Sequence, residues 1–210
     1  MTGSVQTLTL GMGCFWSPDA LFGHLPGVIR TRTGYAGGTT SDPVYRAMGD
    51  HSETVEIDFD PDLMALEDIL EVFWQHHRPE NINDYKGRQY RSLLLYRDDT
   101  QHAAIRDAVH RRVSEGRGEP ATEIAPFRAF YPAEERHQKY YLKRYPHAVE
   151  QLGRLYPTPA EFTDATLTAR LNGLAKGYAN LAQILAEIGT WPLGQEERVR
   201  LQGLVRQIRW

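Results

Sequence analysis

Alternating strand and helix patterns in the first two thirds of the chain constrain its fold more than any other sequence feature. Short runs in which apolar and polar residues alternate are separated by segments with apolar residues at helical spacing. The predicted strands are 6–12, 28–33, 54–59, 92–96 and 122–130, the last an edge strand interrupted by Pro126. The predicted helices are 15–24, 65–77, 99–116 and 133–144.

Two successive strand-helix-strand units predict an α+β fold of the ferredoxin-like kind, a split βαβ sandwich. The chain changes character after Tyr156, where Thr158-Pro159-Ala160-Glu161 matches a capping box with proline at the first helical position. Apolar stripes at helical spacing follow up to the C-terminus. We therefore predict a domain over residues 1–157 and a helical extension over 158–210 that packs on this domain or on a partner subunit.

Composition limits the classes of function. With 41% hydrophobic residues among 210, the chain can bury a core, and its formal net charge of −3 argues against nucleic acid as a partner. We see no signal peptide and no apolar run long enough to span a membrane, so we expect a cytoplasmic protein. One cysteine excludes an internal disulfide and a zinc site made of cysteines.

Cys14 is the first candidate for chemistry, because a predicted strand leads directly into the turn that carries it. At the start of a helix, free backbone N–H groups lower the pKa of a thiol and favour the reactive thiolate. Phe15 and Trp16 would form an apolar wall beside the sulfur, suited to a substrate with a small apolar group. The alternative is that Cys14 is only a small buried hydrophobic residue.

Glu53 is the second candidate. Strand alternation places it on the same face as Val55 and Ile57, and burial of a carboxyl raises its pKa until it can donate a proton near neutral pH. The alternative is that Glu53 ends the strand in solvent.

Two long loops, 34–52 and 78–91, carry further polar groups. These groups are Tyr45, His51, Asn83, Asp84, Gln89 and Tyr90. Loops at one edge of a sheet can converge, and phenols and an acid near a thiolate are suited to polarising an oxygen that leaves while sulfur attacks its neighbour.

Six segments then occur in a fixed order within residues 7–145. They are Gly13-Cys14-Phe15-Trp16, Gly34-Tyr35-Ala36-Gly37-Gly38, Pro43-Val44-Tyr45, Gly49-Asp50-His51-Ser52-Glu53, Gln89-Tyr90-Arg91-Ser92, and Phe130-Tyr131-Pro132-Ala133-Glu134 with His137-Gln138. Together they resemble the signature segments of the peptide methionine sulfoxide reductase A family.

The resemblance implies an activity and roles for the candidates. The activity is reduction of the S epimer of methionine sulfoxide, free or in proteins, without a cofactor or a metal. Cys14 would attack the sulfoxide sulfur and become a sulfenic acid, and Glu53 would protonate the oxygen. Tyr45 and Tyr90 would donate hydrogen bonds with Asp84 ordering the network, and Phe15 and Trp16 would hold the S-methyl group.

The chain departs from the family's pattern in three places. Ser17 stands where the motif usually ends in glycine, and one extra residue between Asp84 and Gly87 leaves open whether Asn83 or Asp84 is the network residue. The second, resolving cysteine that many members have is missing. Thioredoxin, glutathione or another small thiol would then have to reduce Cys14 directly.

Other classes of function remain as alternatives. A hydrolase would use Cys14 with His51 or His137. A metal-binding module could use His76, His77, His51 and acidic groups, but His76 and His77 are neighbours on a helix and point apart. A protein that binds methionine sulfoxide or senses thiols without turnover would keep the same pocket.

Overall fold

The structure, a computed structural model, describes residues 4–210, so residues 1–3 of the predicted domain lie outside the described residues. Residues 4–210 form a mixed α+β fold with six strands in one sheet and eight helices, which confirms the α+β class. The elements are β1 (Gln6–Met12), α1 (Trp16–Gly23), β2 (Val28–Ala36), β3 (Ser52–Phe59), α2 (Leu66–Gln75), β4 (Ser92–Tyr96), α3 (Asp99–Ser114), β5 (Glu123–Pro126), β6 (Phe130–Pro132), α4 (Pro146–Gly153), α5 (Pro159–Asp164), α6 (Thr166–Lys176), α7 (Leu181–Ile188) and α8 (Gln195–Gln207).

The strand order in the sheet is β5-β4-β1-β3-β2-β6. Pairing is antiparallel throughout except between β4 and β5, which are parallel. Strand β3 lies between β1 and β2, and β1 lies between β3 and β4, so a strand of the other unit separates the two strands of each βαβ unit.

The sheet is strongly curled. Six flat strands would span about 24 Å from the first to the last, yet the four-residue step from Pro126 in β5 to Phe130 in β6 reaches about 14 Å at most. A Cβ atom added to Gly37, just after β2, would lie 2.8 Å from a methyl carbon of Leu93 in β4. The two edges of the sheet therefore approach each other, and an apolar cluster that includes Ala36 and Phe130 fills the space between them.

The prediction of one strand over 122–130 is wrong in its extent. Pro126 ends β5, and the chain crosses to the opposite edge before β6 begins at Phe130. Strand β2 also runs beyond its predicted end at Thr33. Gly34 lets β6 pair with this added part of β2. A Cβ atom at Gly34 would lie 2.4 Å from the ring of Phe130 and would prevent the pairing.

The helix predicted over 133–144 is also wrong. The segment forms two short 3₁₀ turns, Glu135–His137 and Leu142–Arg144, and Lys139 between them has a left-handed φ of 52°. The backbone N–H of Lys139 donates to the buried carboxylate of Asp19 in α1 at 3.1 Å. A tertiary contact thus overrides the local helical pattern.

The capping box at the start of the C-terminal tail is confirmed. Thr158 Oγ1 accepts from the N–H of Glu161 at 3.2 Å, and Glu161 Oε2 accepts from the N–H of Thr158 at 2.9 Å. Helices α4 to α8 share an apolar cluster separate from the one around the sheet. Helix α6 lies on α1, where the buried guanidinium of Arg170 donates to the carbonyls of Gly23 at 2.7 Å and Val28 at 2.8 Å.

Within residues 4–210, we find no helix that is both long and apolar enough to cross a membrane.

Candidate active site

Cys14 lies in the turn between β1 and α1. Gly13 makes this turn with a φ of 99°, in the left-handed region that favours glycine, and a Cβ atom at Gly13 would lie 2.9 Å from Ile82. Cys14 is exposed, so it is not a small buried hydrophobic residue. The thiol stands two residues before the first residue of α1, and the N–H of Trp16 donates a hydrogen bond to its sulfur.

The prediction that the helix start lowers the pKa of Cys14 is wrong, because the pKa is raised in the structure. Protein packed around the inner side of the sulfur raises the pKa of the thiol, and the nearby charge of Glu53 raises it further. The hydrogen bond from the N–H of Trp16 lowers the pKa, as expected at a helix start, but its effect is smaller. The thiol therefore holds its proton until something else takes it.

Glu53 is the second residue of β3 and is 1% exposed, so it does not end the strand in solvent. Its two carboxylate oxygens accept from Gln89 Nε2 at 2.8 Å and from the N–H of Phe15 at 3.0 Å, and its carboxyl also lies within hydrogen-bonding reach of the Cys14 thiol. Burial raises the pKa of Glu53, and these donors only partly offset that effect. The raised pKa of Glu53 agrees with the direction predicted for a carboxyl that donates a proton.

The two long loops converge at this edge of the sheet. Arg88 joins them, since its guanidinium donates to the carbonyls of Asp50 at 2.6 Å and Gly37 at 2.8 Å. The N–H of Glu53 donates to the carbonyl of Gln89 at 2.8 Å. The second loop is thereby fixed beside the carboxyl.

Tyr45 and Tyr90 both come to this region. Burial raises the pKa of Tyr90, and charge on Glu53, Tyr45 and Cys14 raises it further. A phenol with a raised pKa keeps its proton and serves as a hydrogen-bond donor. Tyr45 is half-buried and its ring lies 4.9 Å from the ring of His137.

Asp84 does not join this group in the structure. It is exposed, and its carboxylate accepts from Asn81 Nδ2 at 2.8 Å. Asn83 and Asp84 both have left-handed φ values, 54° and 58°, in the turn lengthened by the extra residue. Among the described residues, the side chain that orders Glu53 is Gln89, and the place of Asp84 or Asn83 in the network stays a prediction.

The aromatic wall includes Tyr140, which the sequence did not indicate, and His137, which the sequence indicated only within a family segment and as a possible hydrolase base. Trp16 is half-buried, stacks on Tyr140 at 3.7 Å between ring centroids, and donates from Nε1 to His137 Nδ1 at 3.2 Å. Phe15 is 1% exposed and packs against His137 from the core side. We define Phe15, Trp16, His137 and Tyr140 as the aromatic wall. Its second half comes from the segment predicted as a helix, so spacing gave no signal for Tyr140.

Ser17, the departure beside the wall, has a defined contact. Its hydroxyl forms a hydrogen bond with the hydroxyl of Tyr141 at 3.0 Å. The extra side chain therefore joins α1 to the segment that follows β6.

The histidines do not support the hydrolase or metal alternatives. His51 is buried and hydrogen-bonds with the N–H of Gly38 and the carbonyl of Thr40. His137 Nδ1 accepts from Trp16 and its Nε2 lies 3.2 Å from Arg136 Nε, and His76 bonds with the carbonyl of Val72. Among residues 4–210, no three His, Cys, Asp or Glu side chains are grouped so that they could hold a metal ion.

The geometry brings together an exposed thiol, a buried carboxyl with a raised pKa, a protonated phenol and an apolar wall. A thiol and a carboxyl in contact can share one proton, and moving it from sulfur to carboxyl creates a nucleophile and an acid at once. This arrangement is suited to attack on an atom whose attached oxygen must be protonated before it leaves.

Comparison with known proteins agrees with this chemistry. The family model for peptide methionine sulfoxide reductase matches residues 6–166. A peptide methionine sulfoxide reductase of Drosophila melanogaster is 39% identical over 196 residues, which cover 91% of this chain and 77% of that protein. The peptide methionine sulfoxide reductase MsrA of Natronomonas pharaonis is 42% identical over 146 residues, 65% of this chain and 82% of that protein.

Two solved structures are also similar. Reduced Mxr1 of Saccharomyces cerevisiae superposes with a TM-score of 0.61 at 27% identity, covering 68% of this chain and 86% of that chain. Methionine sulfoxide reductase A of Corynebacterium diphtheriae gives a TM-score of 0.58 at 29% identity, covering 70% and 79%.

Proposed function

The chain belongs to the peptide methionine sulfoxide reductase family, and we propose that it reduces methionine-S-sulfoxide, free or in peptides and proteins, to methionine through a Cys14 sulfenic acid. The observation that carries the proposal is the contact between the exposed Cys14 thiol and the buried Glu53 carboxyl, which has no ion-pair partner among the described residues. The choice of the S epimer rests on the family resemblance.

The reaction balances with these two groups. The Cys14 proton passes to Glu53, and the thiolate attacks the sulfoxide sulfur. This attack forms a transient bond between the two sulfur atoms, and Glu53 returns the proton to the sulfoxide oxygen. The hydroxyl then moves to the Cys14 sulfur as the bond between oxygen and the substrate sulfur and the bond between the two sulfur atoms both break. The products are methionine and Cys14 sulfenic acid. The substrate sulfur is reduced by two electrons and Cys14 is oxidised by two.

The neighbouring groups have supporting roles. Tyr90 and Tyr45 donate hydrogen bonds to the sulfoxide oxygen, and the raised pKa of Tyr90 supports its part. Asp84 is assigned a more distant ordering role, which would need a movement of its loop. The aromatic wall receives the S-methyl group, with Trp16 in contact and Phe15 behind it.

An external thiol completes the cycle. The chain has one cysteine, so the sulfur of thioredoxin or of a small thiol attacks the sulfenic sulfur, and the hydroxyl leaves as water with the proton of the attacking thiol. A second thiol attacks the mixed disulfide and releases Cys14. The exposure of Cys14 supports direct access by such a reductant. The need for reduced thiols also supports the cytoplasm as its compartment.

The order and antiparallel pairing of β4, β1, β3 and β2 support a ferredoxin-like core for the catalytic domain, which we assign to residues 1–157. We assign residues 158–210 to a helical extension that packs on this domain, supported by the contact between Arg170 and the end of α1.

The test uses purified protein with dithiothreitol and, separately, the S and R epimers of a blocked methionine sulfoxide. We expect methionine from the S epimer alone, and none from a Cys14→Ser variant, which keeps the size of the side chain. Without a thiol, the protein should release one methionine per chain and leave a sulfenic acid that a sulfenic-acid probe traps at Cys14. Full turnover by Cys14→Ser would refute the proposal. Binding of oxidised peptide without any methionine formed would favour a sensor instead.

A further inference from the structure

One side chain of the C-terminal tail joins the two segments that build the aromatic wall. Asn172 in α6 is fully buried. Its Nδ2 donates to the carboxylate of Asp19 in α1 at 3.1 Å, and its Oδ1 accepts from the backbone N–H of Leu142 at 3.0 Å. One amide thus holds α1 on one side and the end of segment 137–142 on the other.

Both hydrogen-bond partners of Asn172 are close in the chain to residues of the aromatic wall. Asp19 lies one helical turn after Trp16, and segment 137–142 contains His137 and Tyr140. Phe15 and Trp16 form one half of the aromatic wall, and His137 and Tyr140 form the other. The two halves meet where Trp16 stacks on Tyr140 and donates a hydrogen bond to His137. The position of the Trp16 ring therefore depends on how α1 and segment 137–142 sit relative to each other.

Segment 137–142 does not hold its shape by local bonds alone. Lys139 at its centre has a left-handed φ of 52°, a conformation that is unfavourable for an L-residue with a side chain. Its N–H and its Nζ both bind the Asp19 carboxylate, at 3.1 Å and 2.9 Å. Asn172 binds the same carboxylate and adds a contact from the tail.

We propose that Asn172 is a positioning residue for the aromatic wall, and that through it the helical tail sets the fit of the substrate's S-methyl group. This rests on the proposed reduction of methionine sulfoxide. Asn172 does not touch the site, so it acts through Asp19 and Leu142. Its loss leaves the buried N–H of Leu142 without a partner and lets the two halves of the wall shift.

The experiment compares Asn172→Ala with Asn180→Ala in the full chain. Asn180 is exposed and caps α7 through the N–H of Gln183 at 2.9 Å, so the same substitution there weakens the tail without touching α1 or segment 137–142. For each variant we would measure kcat and KM with blocked methionine S-sulfoxide and with the ethionine analogue, in which ethyl replaces methyl.

We expect Asn172→Ala to lower kcat/KM for the methionine substrate about tenfold, mainly through KM, because a misplaced wall costs binding and orientation. The preference for methyl over ethyl should fall with it. Asn180→Ala should keep both quantities within about twofold of the original protein. A loss that came only from unfolded protein would lower activity on both substrates equally and leave their ratio unchanged.

An unchanged substrate ratio in Asn172→Ala, in an active original protein, would overturn the positioning role and leave the proposed function intact. An original protein without activity on either epimer would instead refute the proposed function. If Asn172→Ala does not fold, Asn172→Ser keeps a small polar group at the site, and the same ratio decides the question.

Discussion

Two buried carboxyl groups lie near the start of helix α1, and they have opposite surroundings. Glu53 is 1% exposed beside Cys14, and its hydrogen-bond partners are the neutral groups of Gln89, Phe15 and Cys14. Asp19 is fully buried and forms an ion pair with Lys139 at 2.9 Å. Among residues 4–210, no Lys, Arg or His forms an ion pair with Glu53.

The comparison shows what separates a structural carboxyl from a reactive one. Asp19 receives hydrogen bonds from Lys139, Thr31 and Asn172, so its charge is compensated where it is buried. Glu53 has no such cation among the described residues, and burial therefore raises its pKa. A cation within reach fixes the first carboxylate, whereas neutral partners leave the second able to take up and release a proton.

The largest effect is expected from Glu53→Gln, which keeps the shape of the side chain but cannot carry the proton. The step that reduces the S epimer should slow by about 10²- to 10⁴-fold, the usual contribution of a positioned acid. Single-turnover methionine release in the presence of excess substrate measures this. A rate within a few fold of that of the original protein would show that another group is the acid. The contrast between Glu53 as a reactive carboxyl and Asp19 as a structural one would then be wrong.

The second effect concerns stability. Lys139→Met leaves the buried charge of Asp19 without its cation and should lower the free energy of unfolding by about 3 to 5 kcal/mol. Denaturant unfolding followed by circular dichroism measures it. The matched control is Glu53→Gln, which removes a costly buried carboxyl and should leave stability unchanged or increased. Equal destabilisation by both variants would show that the two carboxyls do not differ in the way described.

The third effect is the pH dependence of stability. The pKa of Glu53 is raised in the folded chain, so its contribution to stability is complete below the pKa of the unfolded state and is lost as pH rises through the folded pKa. The stability of the original protein relative to Glu53→Gln should therefore fall as pH rises from about 4 upward. The fall is about 1.4 kcal/mol for every tenfold difference between the acid dissociation constants of the folded and unfolded states. Urea unfolding of both proteins across this range measures the difference, and a difference that stays constant or grows with pH would contradict the raised pKa.

Local sequence patterns predicted the parts of the fold that local interactions decide. The bounds of β1 and β4, the capping box at Thr158 and the placement of Glu53 on the buried face of β3 all follow from alternation or from a motif of a few residues. The ordered segments that include Cys14 and Glu53 were sufficient to indicate the family.

Features decided by distant contacts were not predictable in this way. The left-handed Lys139 depends on Asp19, which lies 120 positions earlier in the chain. The pKa of Cys14 is raised because the folded chain packs against the inner side of the sulfur, an effect larger than that of the hydrogen bond at the helix start. Gln89, rather than Asp84, reaches Glu53 because the two loops cross at Arg88. Each of these needs a contact between elements that no spacing in the sequence encodes.

The short connection between β5 and β6 also limits the room for another strand to pair with either end of the sheet. Both end strands of the sheet are short, and the step from Pro126 to Phe130 keeps them close together. An open sheet would present two rows of unpaired backbone groups, which are templates for intermolecular β-structure. With several glycines added to this connection, the two ends of the sheet could move apart, and each row would then have room to pair with another molecule.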